Sequence, residues 1–93
     1  QNPDGDWIPI AAKSQSIVCN IGDMMQLVTR FKLKSTSHRV IDPNVESSAS
    51  RYSMPFFLHP SPEIELGSIV DNSPESISAH DFLDERLRAI KLY

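Results

Sequence analysis

The chain has 93 residues, enough for one small domain with a thin hydrophobic core. Its formal net charge is −3, and the sequence lacks the basic stripe with which proteins bind duplex nucleic acid, so no nucleic-acid partner is expected. Its one cysteine, Cys19, cannot form an internal disulfide, and no apolar stretch approaches the ~20 residues of a membrane span, so we expect a cytoplasmic protein with no membrane partner.

The first predicted elements are short. A proline, aspartate and glycine at residues 3–5 indicate a turn between two strands, so we expect the chain to begin inside a longer polypeptide. A brief extended stretch follows at residues 7–10. Residues 16–20 predict a compact apolar strand in which Cys19 is buried, and residues 24–29 predict a brief helical turn.

Two longer segments show the alternation that is typical of strands. Residues 31–41 alternate between two mixed faces, neither of which is cleanly hydrophobic. Residues 51–58 place four apolar side chains on one face, while the other face carries Arg51 and Ser53. A polar loop separates these two predicted strands, and a further short strand is expected near residues 69–70.

The carboxyl-terminal segment predicts an α-helix over residues 78–91. Ser78 is suited to cap its amino end, and Asp81 follows three residues later as the acidic partner of a capping box. Apolar residues recur at helical spacing, and Asp84 and Arg88 are spaced as an i, i+4 ion pair. Because a helix of about 13 residues is marginal alone in water, we expect it to pack against the rest of the chain.

Three residues carry the candidate chemistry. His38 lies in a predicted strand, and neutral imidazole is a ligand for iron, copper, nickel and zinc. Arg51 and Ser53 stand two residues apart on another predicted strand, so both side chains point the same way and together offer a guanidinium and a hydroxyl to a carboxylate. Taken singly, each residue is better explained by an ordinary polar or surface role.

The order of four segments changes this interpretation. They are residues 7–10 (WIPI), 18–23 (VCNIGD), 34–40 (KSTSHRV) and 51–58 (RYSMPFFL). In this order and at this spacing they resemble the carboxyl-terminal half of the iron(II)- and 2-oxoglutarate-dependent dioxygenases, in the isopenicillin N synthase-like superfamily. The resemblance covers residues 1–60, and the final helix also resembles the carboxyl terminus of that family.

The resemblance implies a mainly β fold. The chain would be the carboxyl-terminal half of a double-stranded β-helix, or jelly roll, with a carboxyl-terminal α-helix. The implied domain organisation assigns residues 1–60 to the strands of the jelly roll, residues 61–77 to a loop and residues 78–91 to the helix.

The resemblance also implies the roles of the candidate residues. The family holds Fe(II) with two histidines and one carboxylate, and His38 is similar to the second, distal histidine. Arg51 and Ser53 are similar to the pair that binds the far carboxylate of the co-substrate 2-oxoglutarate. In the isopenicillin N synthase branch the same pair binds a substrate carboxylate, and the sequence leaves these two uses open. The implied substrate is a small molecule of unknown identity, and no catalytic residue is assigned.

The sequence departs from the family at the other metal ligands, which form a His-x-Asp motif. Neither His59 nor His80 is followed two residues later by an acid, since Ser61 and Phe82 occupy those positions. One imidazole does not hold ferrous iron usefully. We therefore expect the chain to be inactive alone, with its partner either a missing amino-terminal half or a swapped copy of itself.

Two other functions stay open at this point. The chain would be a non-catalytic, β-rich binding or dimerising module if its strand edges and apolar face recruit a partner. A zinc-binding β domain is the weaker alternative, because it needs three or four ligands and Cys19 and His38 have no characteristic spacing.

Overall fold

The computed structural model describes residues 1–11, 13–41, 50 and 52–92. Two α-helices occur in these residues, α1 (Asp23–Val28) and α2 (Ala79–Ala89). The other described residues form turns and irregular segments, with one isolated antiparallel bridge between Glu65 and Ser78. The two helices that the structure describes are both too short to cross a membrane.

The prediction of a mainly β fold is wrong. No strand occurs in the described residues, so the predicted strands at residues 16–20, 31–41 and 69–70, and the described part of the one at 51–58, are not formed. Alternation gives a segment the side-chain period of a strand, but a strand also needs a neighbour that accepts and donates its backbone hydrogen bonds. Within the described segments this neighbour is missing. Irregular segments and two helices therefore stand, in the part of the chain that the structure describes, where a half jelly roll was predicted.

Much of the apolar surface is exposed as a result. The accessible surface area is 8641 Å², against about 5,400 Å² for a compact folded monomer of 10.5 kDa. The radius of gyration is 16.6 Å, against about 12 Å for a compact domain of this length. Cys19, which was predicted to be buried, is exposed too. Surfaces that the sequence pattern assigned to a core are therefore exposed to solvent.

Helix α2 confirms the helix predicted from the sequence. Ser78 is the N-cap in an extended conformation, and its hydroxyl accepts a hydrogen bond of 3.1 Å from the Asp81 amide. Arg88 Nε donates to the Asp84 carboxylate at 2.7 Å, which confirms the i, i+4 pair. The helix ends earlier than predicted, and Lys91 just beyond it takes a left-handed conformation with φ of 61°.

The loop before α2 folds back on itself. Its closure rests on three backbone hydrogen bonds, from Leu66 to Ile77 (2.7 Å), from Ala79 to Ile64 (2.8 Å) and from His80 to Pro62 (2.9 Å). Leu66 and Ala79, which are 5% and 2% exposed, are the buried hydrophobic residues of the described part of the chain. The small core therefore lies where this loop meets the first turn of α2.

An ion pair joins the two helices. Arg86 Nε in α2 donates to Asp23 Oδ2 at the start of α1, at 2.9 Å. A cleft of about 140 Å³ lies beside this pair, and its lining includes Leu27, Phe31 and Phe82. Both charged side chains are partly exposed, so the pair contributes little energy and chiefly sets how α2 sits on α1.

Replacing Ser78 with alanine is expected to destabilise α2 by about 1 kcal/mol, because the Asp81 amide loses its acceptor at the helix terminus. The measurement is circular dichroism at 222 nm during urea unfolding. Ser14→Ala, at an exposed serine outside both helices, is the control and should leave the transition where it is. Equal shifts in the two variants would show that the capping bond does not stabilise the helix.

The pH dependence of α2 follows from Asp81. Hydrogen bonds from the side chains of His80 and Ser78 hold the pKa of the Asp81 carboxyl below its ordinary value. Because the folded-state pKa is the lower one, the ionised carboxylate stabilises the helix above about pH 4, and this contribution is lost as the pH falls through the lowered value. We expect the 222 nm signal to decline from about pH 4 downward.

Asp81→Asn removes the titrating group and should flatten this decline, whereas Asp4→Asn, in the amino-terminal turn, should not. Acid profiles of the two variants are compared with that of the unaltered chain. A decline that Asp81→Asn leaves intact would assign the acid sensitivity to another group.

Candidate functional site

His38 is an exposed residue in the irregular segment that follows α1. Its Nδ1 lies 3.1 Å from the carbonyl oxygen of Thr36. A carbonyl oxygen only accepts hydrogen bonds, so this contact places the proton of the neutral ring on Nδ1 and leaves the Nε2 lone pair available. Histidines that bind metals usually donate their second ring N–H in this way. His59 makes the same kind of contact, with the Pro60 carbonyl at 3.1 Å, so this geometry is shared by two of the histidines.

The neighbours of His38 contact the amino-terminal segment. The amino group of Gln1 donates to the Ser37 carbonyl at 2.6 Å, and the Arg39 guanidinium stacks on the Trp7 ring, 4.1 Å from its centroid. Such a cation–π contact at an exposed site is worth about 0.5–1 kcal/mol. The segment that carries His38 is thus held on both sides of the histidine.

Helix α1 anchors the start of the same segment. Thr29, at the end of α1, is only 5% exposed; its hydroxyl donates to a carbonyl of α1 at 2.7 Å and accepts from the Leu33 amide at 3.1 Å. The side-chain oxygen of Gln26 accepts from the Ser35 amide at 2.9 Å. These bonds take the place of strand pairing for the residues that lead to His38.

The turn between α1 and this segment is strained. Arg30 and Phe31 are consecutive residues in the left-handed region, with φ of 50° and 64°, a conformation that costs about 1–2 kcal/mol for a residue other than glycine. The Phe31 amide donates to the Gln26 carbonyl at 2.9 Å, and its ring lines the cleft beside α2. Packing of α2 therefore helps to hold the turn in place.

Of the two residues predicted to bind a carboxylate, the structure describes Ser53 only. Arg51 lies outside the described residues. Ser53 is exposed, and its hydroxyl makes no hydrogen bond within the part of the chain that the structure describes. Among those residues no hydrogen bond joins Ser53 to His38.

The metal site is incomplete in the described residues, where no group of three or more histidine, cysteine, aspartate or glutamate side chains is placed to hold a metal. His59 and His80, like His38, make local contacts, with the Pro60 carbonyl and the Asp81 carboxylate. Neither an iron site nor a zinc site is therefore complete in the described part of the chain.

Sequence reasoning missed the residues that position this segment. Gly22 is the N-cap of α1 with φ of −94° and ψ of 175°, a conformation open to any residue. Asp23, the first residue of α1, binds Arg86, 63 residues away. A polar residue, Gln26, within the apolar turn of α1 was the one local signal of these contacts. Nothing in the local sequence indicates the pairing of Trp7 with Arg39.

The Thr29 hydroxyl accepts a hydrogen bond from the Leu33 amide. Thr29→Val keeps the shape of the side chain and removes this hydroxyl, so it should lower the free energy of unfolding by about 1 kcal/mol. We expect faster hydrogen exchange at the Leu33 and Ser35 amides, measured by NMR. Thr36→Val, at an exposed threonine in the same segment, is the matched control. Unchanged exchange in Thr29→Val would mean that α1 does not hold the segment.

Known proteins resemble this chain in sequence. The model of the 2OG-Fe(II) oxygenase superfamily matches residues 1–60. A UPF0676 protein of Schizosaccharomyces pombe is 35% identical over 89 residues, which cover 90% of this chain and 27% of that protein. No solved structure matches the chain.

Two further relatives carry names that describe an activity. The 2-oxoglutarate-dependent dioxygenase frbJ of Dothideomycetidae sp. is 37% identical over 79 residues, covering 85% of this chain and 21% of that protein. The 1-aminocyclopropane-1-carboxylate oxidase 3 of Arabidopsis thaliana is 35% identical over 71 residues, covering 73% of this chain and 21% of that protein. The chain thus spans about a fifth to a quarter of the length of these curated relatives.

Proposed function

The chain belongs to the 2OG-Fe(II) oxygenase superfamily, and we propose that it is the carboxyl-terminal part of the catalytic domain of an iron(II)- and 2-oxoglutarate-dependent dioxygenase that oxidises a small organic molecule. The observation that carries the proposal is the family match over residues 1–60, which contain His38 and the Arg51–Ser53 pair. The similarity to a 2-oxoglutarate-dependent dioxygenase over 79 residues supports the same class of co-substrate.

In this proposal His38 is one ligand of Fe(II), through Nε2. The hydrogen bond from its Nδ1 to the Thr36 carbonyl supports this role, because it orients the ring and fixes the tautomer. When bound, Fe(II) with 2-oxoglutarate supplies the oxidation of the substrate by dioxygen. Because the described residues offer one ligand, we assign the second histidine and the carboxylate to a segment outside these 93 residues, and we infer that the chain alone is inactive.

Arg51 and Ser53 bind the far carboxylate of 2-oxoglutarate in this proposal. A guanidinium binds a carboxylate through two parallel hydrogen bonds, and the exposed Ser53 hydroxyl is a further donor. A substrate carboxylate is the second candidate ligand for the pair. It is supported by the Arabidopsis relative, whose name denotes an oxidase of a carboxylate.

The other residues of the site position His38. Gln26 and Thr29 hold the start of its segment on α1, and the contact of Arg39 with Trp7 holds its far side. A metal ligand must be held within about 0.5 Å of its productive position. These contacts supply that restraint from side chains instead of a β-sheet.

The test uses a longer polypeptide that contains this chain and an upstream His-x-Asp segment. Arg51→Ala is expected to raise the apparent KM for 2-oxoglutarate by about one to two orders of magnitude, since charge-assisted hydrogen bonds are worth about 1.5–3 kcal/mol. Arg88→Ala, which removes an exposed arginine that pairs with Asp84 within α2, is the control. His38→Ala should lower the iron content of the purified protein.

An unchanged KM for 2-oxoglutarate together with a raised KM for the organic substrate would assign the pair to a substrate carboxylate. No change in either constant would remove Arg51 from the site. For the 93-residue chain by itself, anaerobic titration with Fe(II) and 2-oxoglutarate should give no visible charge-transfer band. A band that saturates would contradict the inference that the chain alone lacks a metal site.

A further inference from the structure

Two serines of the chain are followed by the same two residues. Ser61 and Ser73 each begin the sequence Ser-Pro-Glu, at residues 61–63 and 73–75. A serine directly before a proline is the minimal sequence that proline-directed protein kinases phosphorylate, and the proline has no amide N–H for which the kinase must provide a partner. Because the local sequences are identical, only their surroundings in the fold distinguish the two serines.

The sequence that begins at Ser61 is closed into a turn. The Ile64 amide donates to the Ser61 carbonyl at 3.0 Å, and Pro62 stands at the second position of this turn, where proline is favoured. Protein kinases bind the substrate segment in an extended conformation. Ser61 must therefore lose this hydrogen bond before it can enter a kinase active site.

The segment that contains Ser73 has no such turn. Residues 71–76 (DNSPES) carry hydroxyl, amide and carboxylate side chains and no large apolar one, a composition that keeps a loop at a protein surface. In the described part of the chain no backbone–backbone hydrogen bond involves residues 72–76. A residue before a proline is also biased towards an extended conformation. Ser73, which is partly exposed, is thus presented in the form that a kinase binds.

The side chain of Arg30 faces the same loop. Glu75 Oε2 accepts a hydrogen bond of 2.5 Å from Ser73 Oγ and lies 3.8 Å from Arg30 Nη2, so the hydroxyl and the guanidinium approach the same carboxylate oxygen. Arg30 Nη2 also donates to the Glu75 carbonyl at 3.4 Å, which holds the guanidinium against the loop. A guanidinium therefore lies beside the one hydroxyl of the loop that precedes a proline.

Lys32 adds a second positive charge near the loop. The pKa of the Asp71 carboxyl lies below its ordinary value, chiefly through a side-chain hydrogen bond with Ser68 and then through the hydrogen bond from the Ser73 amide. The charges of Arg30 and Lys32 lower it further. An anion on the neighbouring Ser73 would be attracted by the same two charges.

We propose that Ser73 is a phosphorylation site for a proline-directed kinase and that Arg30 binds the resulting phosphate. The kinase transfers the γ-phosphoryl group of ATP to Ser73 Oγ. The O–H bond and the bond from the γ-phosphorus to the bridging oxygen break, an Oγ–P bond forms, ADP leaves, and the proton passes to the catalytic aspartate of the kinase. The modification goes beyond the dioxygenase function and stands whether or not that function is correct.

The charges around the phosphate favour its binding to Arg30. Asp71 and Glu75 repel a group with about two negative charges, but both side chains are exposed and can turn into water, which screens the repulsion. Arg30 and Lys32 attract it, and a guanidinium forms two parallel hydrogen bonds with a phosphate. The phosphate therefore replaces the Glu75 carboxylate at Arg30 and ties the loop to the residues that follow α1.

The test uses the longer polypeptide that contains this chain, incubated with ATP and an active mitogen-activated protein kinase. Mass spectrometry of its peptides gives the rate at each serine. We expect Ser73 to be phosphorylated about three to ten times faster than Ser61, since Ser61 must first lose a hydrogen bond. Pro74→Ala should abolish the phosphorylation of Ser73, whereas Pro62→Ala, the matched control, should leave it unchanged.

Phosphorus NMR then tests the role of Arg30. We expect the second pKa of the Ser73 phosphate to lie below its ordinary value, because a nearby guanidinium favours the dianion. Arg30→Gln should return this pKa to the ordinary value, and Arg88→Gln, at an exposed arginine of α2, should leave it lowered. If circular dichroism at 222 nm shows that Arg30→Gln loses the helices, Arg30→Lys replaces it and should reduce the shift, since lysine lacks the two-pronged guanidinium.

A polypeptide that is not phosphorylated at Ser73 overturns the proposal, and so do equal rates at Ser61 and Ser73. A phosphate pKa that the substitution at Arg30 leaves unchanged, or that the substitutions at Arg30 and Arg88 change equally, overturns it as well. None of these outcomes depends on iron or 2-oxoglutarate, so a failure of the dioxygenase assays is a separate result.

Discussion

Backbone N–H and C=O groups need hydrogen-bond partners, and this requirement decides which predicted elements of the chain exist. A helix meets the requirement within its own segment, so α1 and α2 form from local sequence. A strand meets it only through a neighbour. In the described residues the segments with strand-like alternation have no such neighbour, and they remain irregular. Their apolar side chains stay in solvent for the same reason.

The ordered part of the chain is built around α1 and the loop that leads into α2. Leu66 and Ala79 form its small core, and Arg86 ties α2 to Asp23 of α1. The hydrogen bonds of the buried Thr29 hydroxyl connect α1 to the segment that holds His38. The carboxyl-terminal helix is thus connected, by way of α1, to the segment that carries a candidate metal ligand. The path runs through hydrogen bonds and one strained turn, and no sheet is involved.

The family and the candidate site rest on different kinds of support. Membership of the 2OG-Fe(II) oxygenase superfamily follows from the match over residues 1–60. The roles of His38, Arg51 and Ser53 are proposals that this membership motivates, and the contact of His38 with Thr36 supports one of them.

The sequence by itself determined the features whose partners lie within about four residues: the cap at Ser78, the pair of Asp84 with Arg88, and the short helix α1. It also sufficed to predict the family, because the order of the motifs along the chain does not depend on which segments pair in the fold. The tertiary structure alone decided that the predicted strands do not form in the described residues, that Cys19 is exposed and that Asp23 binds Arg86. Side-chain period shows which face of a strand would be apolar, but it carries no information on whether a second segment lies close enough to cover that face and complete the hydrogen bonds.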